Sequence, residues 1–588
     1  MKARYLFIAL TLLNINLYAE QHLATFFNPR SISRDAARDL AGWVNYINKN
    51  EDGSSVYGAL SLTPEWTQTF RNQRITSCLF GDSLIYNGSC DPYLKIAGSH
   101  VADRSPQDLL ADYFYLPPDF ESVVAFNPSI DNFIIDLGFY LGLDAWKKGF
   151  YFWLHAPFAH SRWDINITEN VINPGVEGYS AGYFAPSEIE RGTLLEQFTN
   201  FTNGKTLPNI DDIAFQELKF AEMSNKRLIK TRVAEIRTAL GWNFYAEDDY
   251  HAGFNGQVAF PTGLRPKGEF LFEPMVGNGH FWELGFGASA HCTFWRNEDD
   301  TKQWLIYGDV NVTHLFTTRQ ARTFDLKSAG PLSRYMLAME MKQPATNLLG
   351  NGKIPSAQFN NDYLPVANIT TLNVNVDITI QADIVLMLNY TSKNMSYDIG
   401  YNYWARTQEN ITLKTIESFA ESTFALKGDA RIFGFELSNT TPVALSATES
   451  RATIHAGTNT TNNNTNNTID FPQLATTNPP LPATPVNLQY APNNSAPADQ
   501  IKTSIPPVFM TYNDIDVQGA GSRDSSSKLF GHVSYTSPGN AEWQPYIGIG
   551  ASVEFDHSPT RNTKNNNCSS ICGASQWAIW MKTGTTFN

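Results

Sequence analysis

The sequence lacks long apolar runs after residues 1–19, and this absence argues against a helical membrane protein. No later stretch offers the roughly eighteen apolar residues that a helix needs to cross a bilayer. An excess of positive charge is also missing, since the net charge is −14, so nucleic acid is not an expected partner. Aromatic residues are plentiful at 13%, while the mean hydropathy is −0.29. This combination suits barrel strands, in which only alternate residues meet lipid.

The residue patterns of a catalytic or metal site are missing as well. Phe80–Leu84 matches the nucleophile block of the GDSL esterases, but the chain has no Gly-x-Asn-Asp element. The Asp-x-x-His pattern at Asp248–His251 falls in a predicted strand turn. His155 and His160 do not have a metal-site spacing such as His-Glu-x-x-His. We therefore expect a protein that is not an enzyme and that uses neither a cofactor nor a bound metal.

Residues 1–19 predict a secretory signal peptide. Lys2 and Arg4 precede an apolar run from Tyr5 to Leu13, and Ala19 provides the small residue at the cleavage site. The apolar run is too short for a membrane anchor. We therefore expect an exported protein.

The last residues of the chain alternate between apolar and polar side chains with the period of a β-strand. Gln576–Phe587 ends on an aromatic residue, and Ile547–Asp556 separates Ile, Ala, Val and Phe from Gly, Ser, Glu and Asp. A water-soluble sandwich could alternate in this way, but its chain seldom ends on a strand that closes with Phe. A transmembrane barrel predicts both features. The terminal strand, displaced by Asn588, also resembles the signal that outer-membrane assembly machinery reads, so that machinery is an expected partner.

Similar alternation along residues 55–588 predicts an all-β fold, a transmembrane antiparallel barrel of about 14 strands, within a range of roughly 12 to 16. The pattern predicts the eighth strand at Arg334–Lys342 and the eleventh at Phe424–Leu437, where the alternation is weak. Because both ends of such a barrel lie in the periplasm, short connections should be periplasmic and long inserts extracellular. The short connections are Ala145–Gly149, Ala246–Tyr250, Asn297–Lys302 and Ser537–Ala541. The inserts are residues 72–131, 168–231, 261–280 and 438–527, the last with the low-complexity Asn/Thr tract 458–468.

Residues 20–54 precede the first strand and carry a short helical segment. Ser33–Lys49 places Ala36, Leu40 and Trp43 at helical spacing. This helix is either a linker or a hatch that lies in or under the lumen, and we favour the linker.

Polar residues on the predicted inward faces include both acids and bases. The mixture is typical of a salt-bridged interior that stabilises a nearly closed barrel, or of an electrostatic constriction that selects solutes. The predicted lumen-lining residues are Asp136, Asp144, Arg162, Asp164, Glu235, Arg237, Glu283, His291, Asp309, Asp398, Arg406, Glu554 and Lys582.

The five cysteines predict two local disulfides. Cys78 and Cys90 fall in the first extracellular loop, and Cys568 and Cys572 fall in the last. Because an exported protein meets an oxidising compartment, we predict that each of these pairs is bonded and that Cys292 is a free thiol. Cross-links between the two loops remain an alternative, since the first and last strands adjoin when a barrel closes.

Four segments carry a resemblance to a known group of proteins. Phe270–Gly287, Ser333–Met341, Gln381–Met387 and Asp398–Arg406 resemble outer-membrane barrel proteins from amoeba-dwelling bacteria. The resemblance covers nearly the whole mature chain. It implies the fold and an outer-membrane location, and it supplies no catalytic residues. The architecture is also similar to that of outer-membrane fatty-acid transporters.

These observations favour a porin-like channel that admits small hydrophilic solutes through the outer membrane. Its expected partners are outer-membrane lipid and the solutes themselves. One alternative is a gated route for apolar molecules with the helix as a hatch. Another is a surface interaction or adhesion protein whose barrel is only an anchor, and an outer-membrane hydrolase is the least favoured. The sequence specifies neither the solute nor the oligomeric state.

Overall fold

The fold is seen in a computed structural model that describes most of the chain. The described residues are 26–42, 57–86, 91–102, 104–105, 107–180, 182–247, 249–342, 359–414, 421–428, 433–435, 442–444, 448, 452–455, 507–517, 520–538, 542–557 and 572–587. The predicted signal peptide, residues 43–49 of the predicted helix, Cys90, Cys568 and the Asn/Thr tract lie outside these residues.

Within the described residues, twelve antiparallel strands close into a barrel. Each strand pairs with its neighbours, and the last pairs with the first, with Gly58 opposite Phe587. The predicted closed barrel is confirmed, with a strand number at the lower end of the expected range. The strands are β1 (Gly58–Thr69), β2 (Ser129–Gly142), β3 (Phe150–Asp164), β4 (Ile236–Glu247), β5 (Tyr250–Phe260), β6 (Glu283–Arg296), β7 (Lys302–Thr323), β8 (Thr371–Ser392), β9 (Met395–Arg406), β10 (Asp524–Thr536), β11 (Trp543–Asp556) and β12 (Gln576–Phe587).

Two predicted barrel strands lie elsewhere. Leu337–Met341, in the predicted eighth strand, pairs with Phe424–Leu426, in the predicted eleventh, within a separate sheet. The first three residues of Leu337–Met341 are all buried, so both faces of this strand are covered and it lacks the alternation of a barrel strand. Two further strands extend the barrel across short breaks. One is Leu228–Val233, which precedes β4 and pairs with β3, and the other is Glu409–Leu413, which follows β9 and pairs with β8.

The two ends of the barrel differ in their connections. The end that we call the short-turn end holds residues 143–149, 249, 297–301, 393–394, 537–538 and 542, together with the start of β1 and the end of β12. The opposite, long-loop end holds the described residues that fall within 70–128, 165–235, 261–282, 324–370, 407–523 and 557–575. The described parts of the predicted short connections and of the predicted long inserts therefore lie at opposite ends of the barrel. The barrel lacks the predicted eighth and eleventh strands, so the number of strands stays even. The connections before the eighth and after the eleventh predicted strand therefore stay at the ends where they were expected.

The outer face of the barrel is apolar and the inner face is polar. In β1, Leu62 and Trp66 are 44% and 45% exposed, whereas Thr63 and Glu65 between them are buried. Phe286 in β6 is 74% exposed on the same outer face. The pleat of a strand produces this separation, because successive side chains point to opposite sides. Among the described helices, none is both long enough and apolar enough to cross a membrane.

The long loops fold together into a cap over the long-loop end. One hydrophobic core joins aromatic residues from different loops, including Phe80, Tyr115, Phe184, Phe272 and Tyr363. The helices of the cap are α2 (Gln73–Phe80), α3 (Phe198–Thr202) and α4 (Ala367–Thr370), with 3-10 turns at Gly81–Ser83, Ala111–Phe114, Arg191–Thr193, Ser333–Tyr335 and Tyr512–Asp514. Its first sheet comprises Ile85–Tyr86, Pro92–Ala97, Leu109–Leu110, Glu121–Phe126 and Ile167–Asn173. Its second sheet comprises Ala214–Phe215, Leu337–Met341, Phe359–Pro365 and Phe424–Leu426, and Phe433–Phe435 pairs with Pro442–Ala444.

A disulfide links the first and last loops of the cap. Cys78 in α2 bonds to Cys572, with Cα atoms 4.7 Å apart. The predicted pairs Cys78–Cys90 and Cys568–Cys572 are therefore wrong. Because β1 pairs with β12, the loops beyond these strands are neighbours despite a sequence separation of 494 residues. Cys292 is free and exposed, as predicted.

Replacing Cys572 with serine is expected to loosen the cap and to leave the barrel closed, because the strand ladder needs no covalent link. A lost native disulfide commonly costs about 2 to 4 kcal/mol. The denaturant concentration at which protease cleaves the cap should fall, while the heat-dependent gel mobility of the barrel stays unchanged. Cys292→Ser is the matched control. A non-reducing peptide map that joins Cys78 to Cys90 would contradict the pairing.

Candidate functional site

Residues 26–42 begin at the core of the cap and continue into the lumen of the barrel, and we call this segment the plug. It contains the short helix α1 (Ala36–Leu40), whose N-terminus is capped because the carboxylate of Asp35 accepts the backbone N–H of Arg38 at 3.2 Å. Gly42 follows the helix with φ +79°, and a Cβ there would lie 2.6 Å from His532. The described helix is therefore shorter than the predicted Ser33–Lys49.

Arg30 and Arg34 attach the plug to the barrel wall. Arg30 donates to Asp383 in β8 at 2.9 Å and to Glu554 in β11 at 3.0 Å. Arg34 donates to Glu283 in β6 at 3.1 Å. All five side chains are less than 8% exposed. Two opposite charges 4 Å apart attract by about 4 kcal/mol at an effective dielectric constant near 20, so burial strengthens these contacts.

Arg38 makes the third attachment, on the other side of the lumen. Its guanidinium pairs with Glu65 in β1 and lies 3.6 Å from Asp136 in β2. Asp136 also bonds to His155 in β3 at 2.9 Å, and Asp39 of the plug lies 3.7 Å from the same ring. Asp39, Asp136 and His155 are close enough to hold a metal ion, but Arg38 already lies near both carboxylates. We therefore treat the group as an ion-pair cluster.

Basic residues of the wall hold the acidic and backbone groups of the plug. Lys528 in β10 lies 2.7 Å from Asp35. Burial by itself would raise the pKa of Asp35, but Lys528, Arg30 and Arg38 together lower it well below its usual range. Lys582 in β12 donates to three carbonyl oxygens at the end of α1, at 2.6, 2.7 and 3.1 Å. These carbonyls would otherwise lack partners, because the last turn of a helix leaves them free.

Arg162 and Asp164 were predicted to face the lumen, but they lie on the outer face of the barrel. The β2–β3 ladder continues without a break through Pro157, so no bulge reverses the faces of β3. Both residues share the outer row with Phe158, which is 46% exposed, while Ser161 and its inward neighbours are buried. Nine other predicted residues lie on the inner side of the wall, namely Asp136, Arg237, Glu283, His291, Asp309, Asp398, Arg406, Glu554 and Lys582. Asp144 lies in the turn after β2 and Glu235 lies just before β4, and both are buried.

The three plug arginines are not among the lumen residues predicted from the sequence. Arg30, Arg34 and Arg38 recur every four residues in a segment that otherwise suggests a short amphipathic helix. A signal was available, because the inward rows of the strands carry many acids that need neutralising inside a closed barrel. Glu283, Asp383 and Glu554 lie between 249 and 524 residues from the arginines that they bind, so this match is visible only when the strands are arranged in a ring.

A cavity of about 90 Å³ lies between the plug and one side of the wall. On one side, the small residues Ala37 and Ala41 pack the plug against β7, β8, β10 and β12 in an apolar cluster. The cavity remains on the other side of the plug, toward β2–β7. The cavity is lined by Ala36, Asp39 and Leu40 of the plug and by Tyr140, Tyr151, Trp153, His155, Arg237, His251, Asn255, Gln257, Ser289, Tyr307, Gly308, Asp309 and Asn311 of the wall.

Comparisons with known proteins add little to this geometry. No family model and no curated protein matches the chain. Among solved structures, an outer membrane channel from Pseudomonas putida F1 is 7% identical, with 90% of this chain and 96% of that chain covered and a TM-score of 0.30. The TodX deltaS2S3 mutant monoaromatic hydrocarbon channel is 8% identical, with 93% and 94% covered and a TM-score of 0.28. These TM-scores are too low to support an argument about function, which has to come from the chain itself.

Asp383→Asn is expected to loosen the plug, because it leaves Arg30 without a buried anionic partner in β8. Removing one partner of a buried ion pair typically costs about 3 to 5 kcal/mol. A cysteine introduced at the buried position Ala37, in a Cys292→Ser background, should then react faster with a thiol reagent. Asp377→Asn is the matched control, since this partly exposed residue of β8 bonds only to Asn410 in the described part of the chain. Equal reactivity in the two variants would contradict the role of Asp383.

Proposed function

We propose that the chain is an outer-membrane channel for small solutes, held closed by its plug and opened when the plug moves. The observation that carries the proposal is the network of buried ion pairs between the plug and the strands around it. A segment that only linked the signal peptide to β1 would need no such network. The proposal favours a gated channel over the permanently open porin that the sequence suggested.

The apolar outer face supports a membrane location. Leu62, Phe133, Phe286 and Ile549 are between 44% and 74% exposed, and they belong to different strands around the barrel. A belt of this kind is unfavourable in water and suits the hydrocarbon core of a bilayer. The short-turn end, which holds both ends of the barrel chain, would then face the periplasm and the cap would face the exterior.

The position of the plug in the chain makes it suited to gating. The plug precedes β1, so its departure breaks no strand pairing and leaves the barrel closed. Its contacts with the wall are ion pairs, hydrogen bonds and a small apolar cluster. The wall around the plug carries many charged and amide side chains, so the path that opens would be polar, which favours hydrophilic solutes over apolar ones.

A chain that lacks residues 26–42 is expected to conduct steadily in planar bilayers, because the polar lumen is then open below the cap. The intact chain should stay almost silent. Replacing Arg30, Arg34 and Arg38 together by methionine should also raise conductance, since the plug would lose its charged contacts. Heat-dependent gel mobility would show that each barrel has folded.

The matched control replaces two exposed arginines, Arg227 and Arg296, by methionine. They pair with Asp164 and Asp249 at partly exposed positions, where an ion pair contributes little. Conductance should stay at the level of the intact chain. A deletion variant that folds into a barrel and remains silent would contradict the proposed channel.

A further inference from the structure

We propose that the cavity between the plug and β2–β7 is a binding site for a small polyhydroxylated solute of monosaccharide size. This inference rests on the proposed channel function and names the class of its solute. It is carried by the combination of aromatic rings, amide groups and a buried acceptor without a hydrogen-bond partner around one partly open cavity.

The size of the cavity sets the scale of the ligand. Its volume of about 90 Å³ would hold roughly six to nine water-sized groups, and the cavity is open on one side. This is less than a whole hexose, so a monosaccharide would enter with part of its ring and leave the rest at the open side.

Aromatic rings form one part of the lining. Tyr140 and Tyr151 stack with ring centroids 5.5 Å apart, and Trp153 lies beside them. Aromatic side chains of this kind combine a large apolar surface with a polar group at one end. The C–H face of a sugar ring can pack on such a surface while its hydroxyl groups stay free to bond elsewhere.

Neutral hydrogen-bonding groups form the other part. Gln257 donates to Asn311 at 2.9 Å, and Asn255 donates to the hydroxyl of Tyr151 at 3.3 Å. Ser289 faces the same space. Amides and hydroxyls donate and accept at once, so they match ligand hydroxyl groups, which do the same.

Asn255 supplies the independent sign of a ligand. Its side chain is 4% exposed, and its Oδ1 atom is buried without a hydrogen-bond partner. Buried polar atoms are normally paired, so this acceptor is suited to a donor that enters the cavity.

The charges around the cavity argue against an ionic ligand. The lining carries charges of both signs, with Asp39 and Asp309 opposite Arg237. An apolar ligand would remove solvent from the amides and carboxylates of the lining without offering them hydrogen bonds, which is unfavourable in a buried site. A neutral ligand with many hydroxyl groups avoids both costs.

The test is isothermal titration of D-glucose into the intact, refolded chain in detergent, with toluene as an apolar probe. Ser289→Leu places a branched apolar side chain in the cavity and should weaken glucose binding at least about tenfold, because it fills space and removes a hydroxyl. Ala288→Leu is the matched control, since Ala288 adjoins Ser289 in β6 and is exposed on the outer face. The affinity of this variant for glucose should equal that of the intact chain.

Asn255→Ala is a second variant that serves if Ser289→Leu does not fold. It removes the unpaired acceptor and should weaken glucose binding about threefold to tenfold. Absence of glucose binding to the intact chain, equal binding in Ser289→Leu and Ala288→Leu, or binding of toluene alone would each overturn the inference. Conductance of the plug-deleted chain is a separate measurement, so a conducting channel without glucose binding would reject the site and leave the channel standing.

Discussion

Neutralisation of charge inside the barrel is the constraint on which the rest of the structure depends. The outer face has to be apolar, so the charged residues of the strands turn inward, where Glu65, Glu283 and Asp383 are almost fully buried. Isolated buried carboxylates are very unfavourable. The plug arginines supply the opposite charge, and Lys528 in turn balances Asp35 of the plug. The plug and the wall therefore satisfy each other, which gives the N-terminal segment a fixed position.

The same segment connects the barrel to the cap. Phe26 and Phe27, at the start of the plug, belong to the hydrophobic core that the long loops share. Phe27 packs against Trp163 of β3 and Phe272 of the cap, with ring centroids 5.9 and 5.7 Å away. Movement of the plug would have to break ion pairs in the lumen and withdraw two aromatic rings from the cap. Gating would thus involve the cap as well as the lumen.

Much of the fold could be predicted because strand alternation is local. The pattern correctly predicted a closed antiparallel barrel, but it also suggested strands at Arg334–Lys342 and Phe424–Leu437, where short apolar runs belong to the cap. It also placed Arg162 and Asp164 inward, whereas the unbroken β2–β3 ladder puts both on the outer row. Local spacing likewise suggested disulfides between near neighbours, whereas barrel closure brings Cys78 beside Cys572.

By itself, the sequence determined that this chain forms an antiparallel barrel with an apolar outside and a polar inside. That result needs only the period of two that the pleat imposes on each strand. The tertiary structure decided where the N-terminal segment lies, which charges pair and where the cavity remains. Arg30 meets Asp383 and Glu554 across 353 and 524 residues, so their proximity depends on the closure of the whole ring and on the fit of the plug within it.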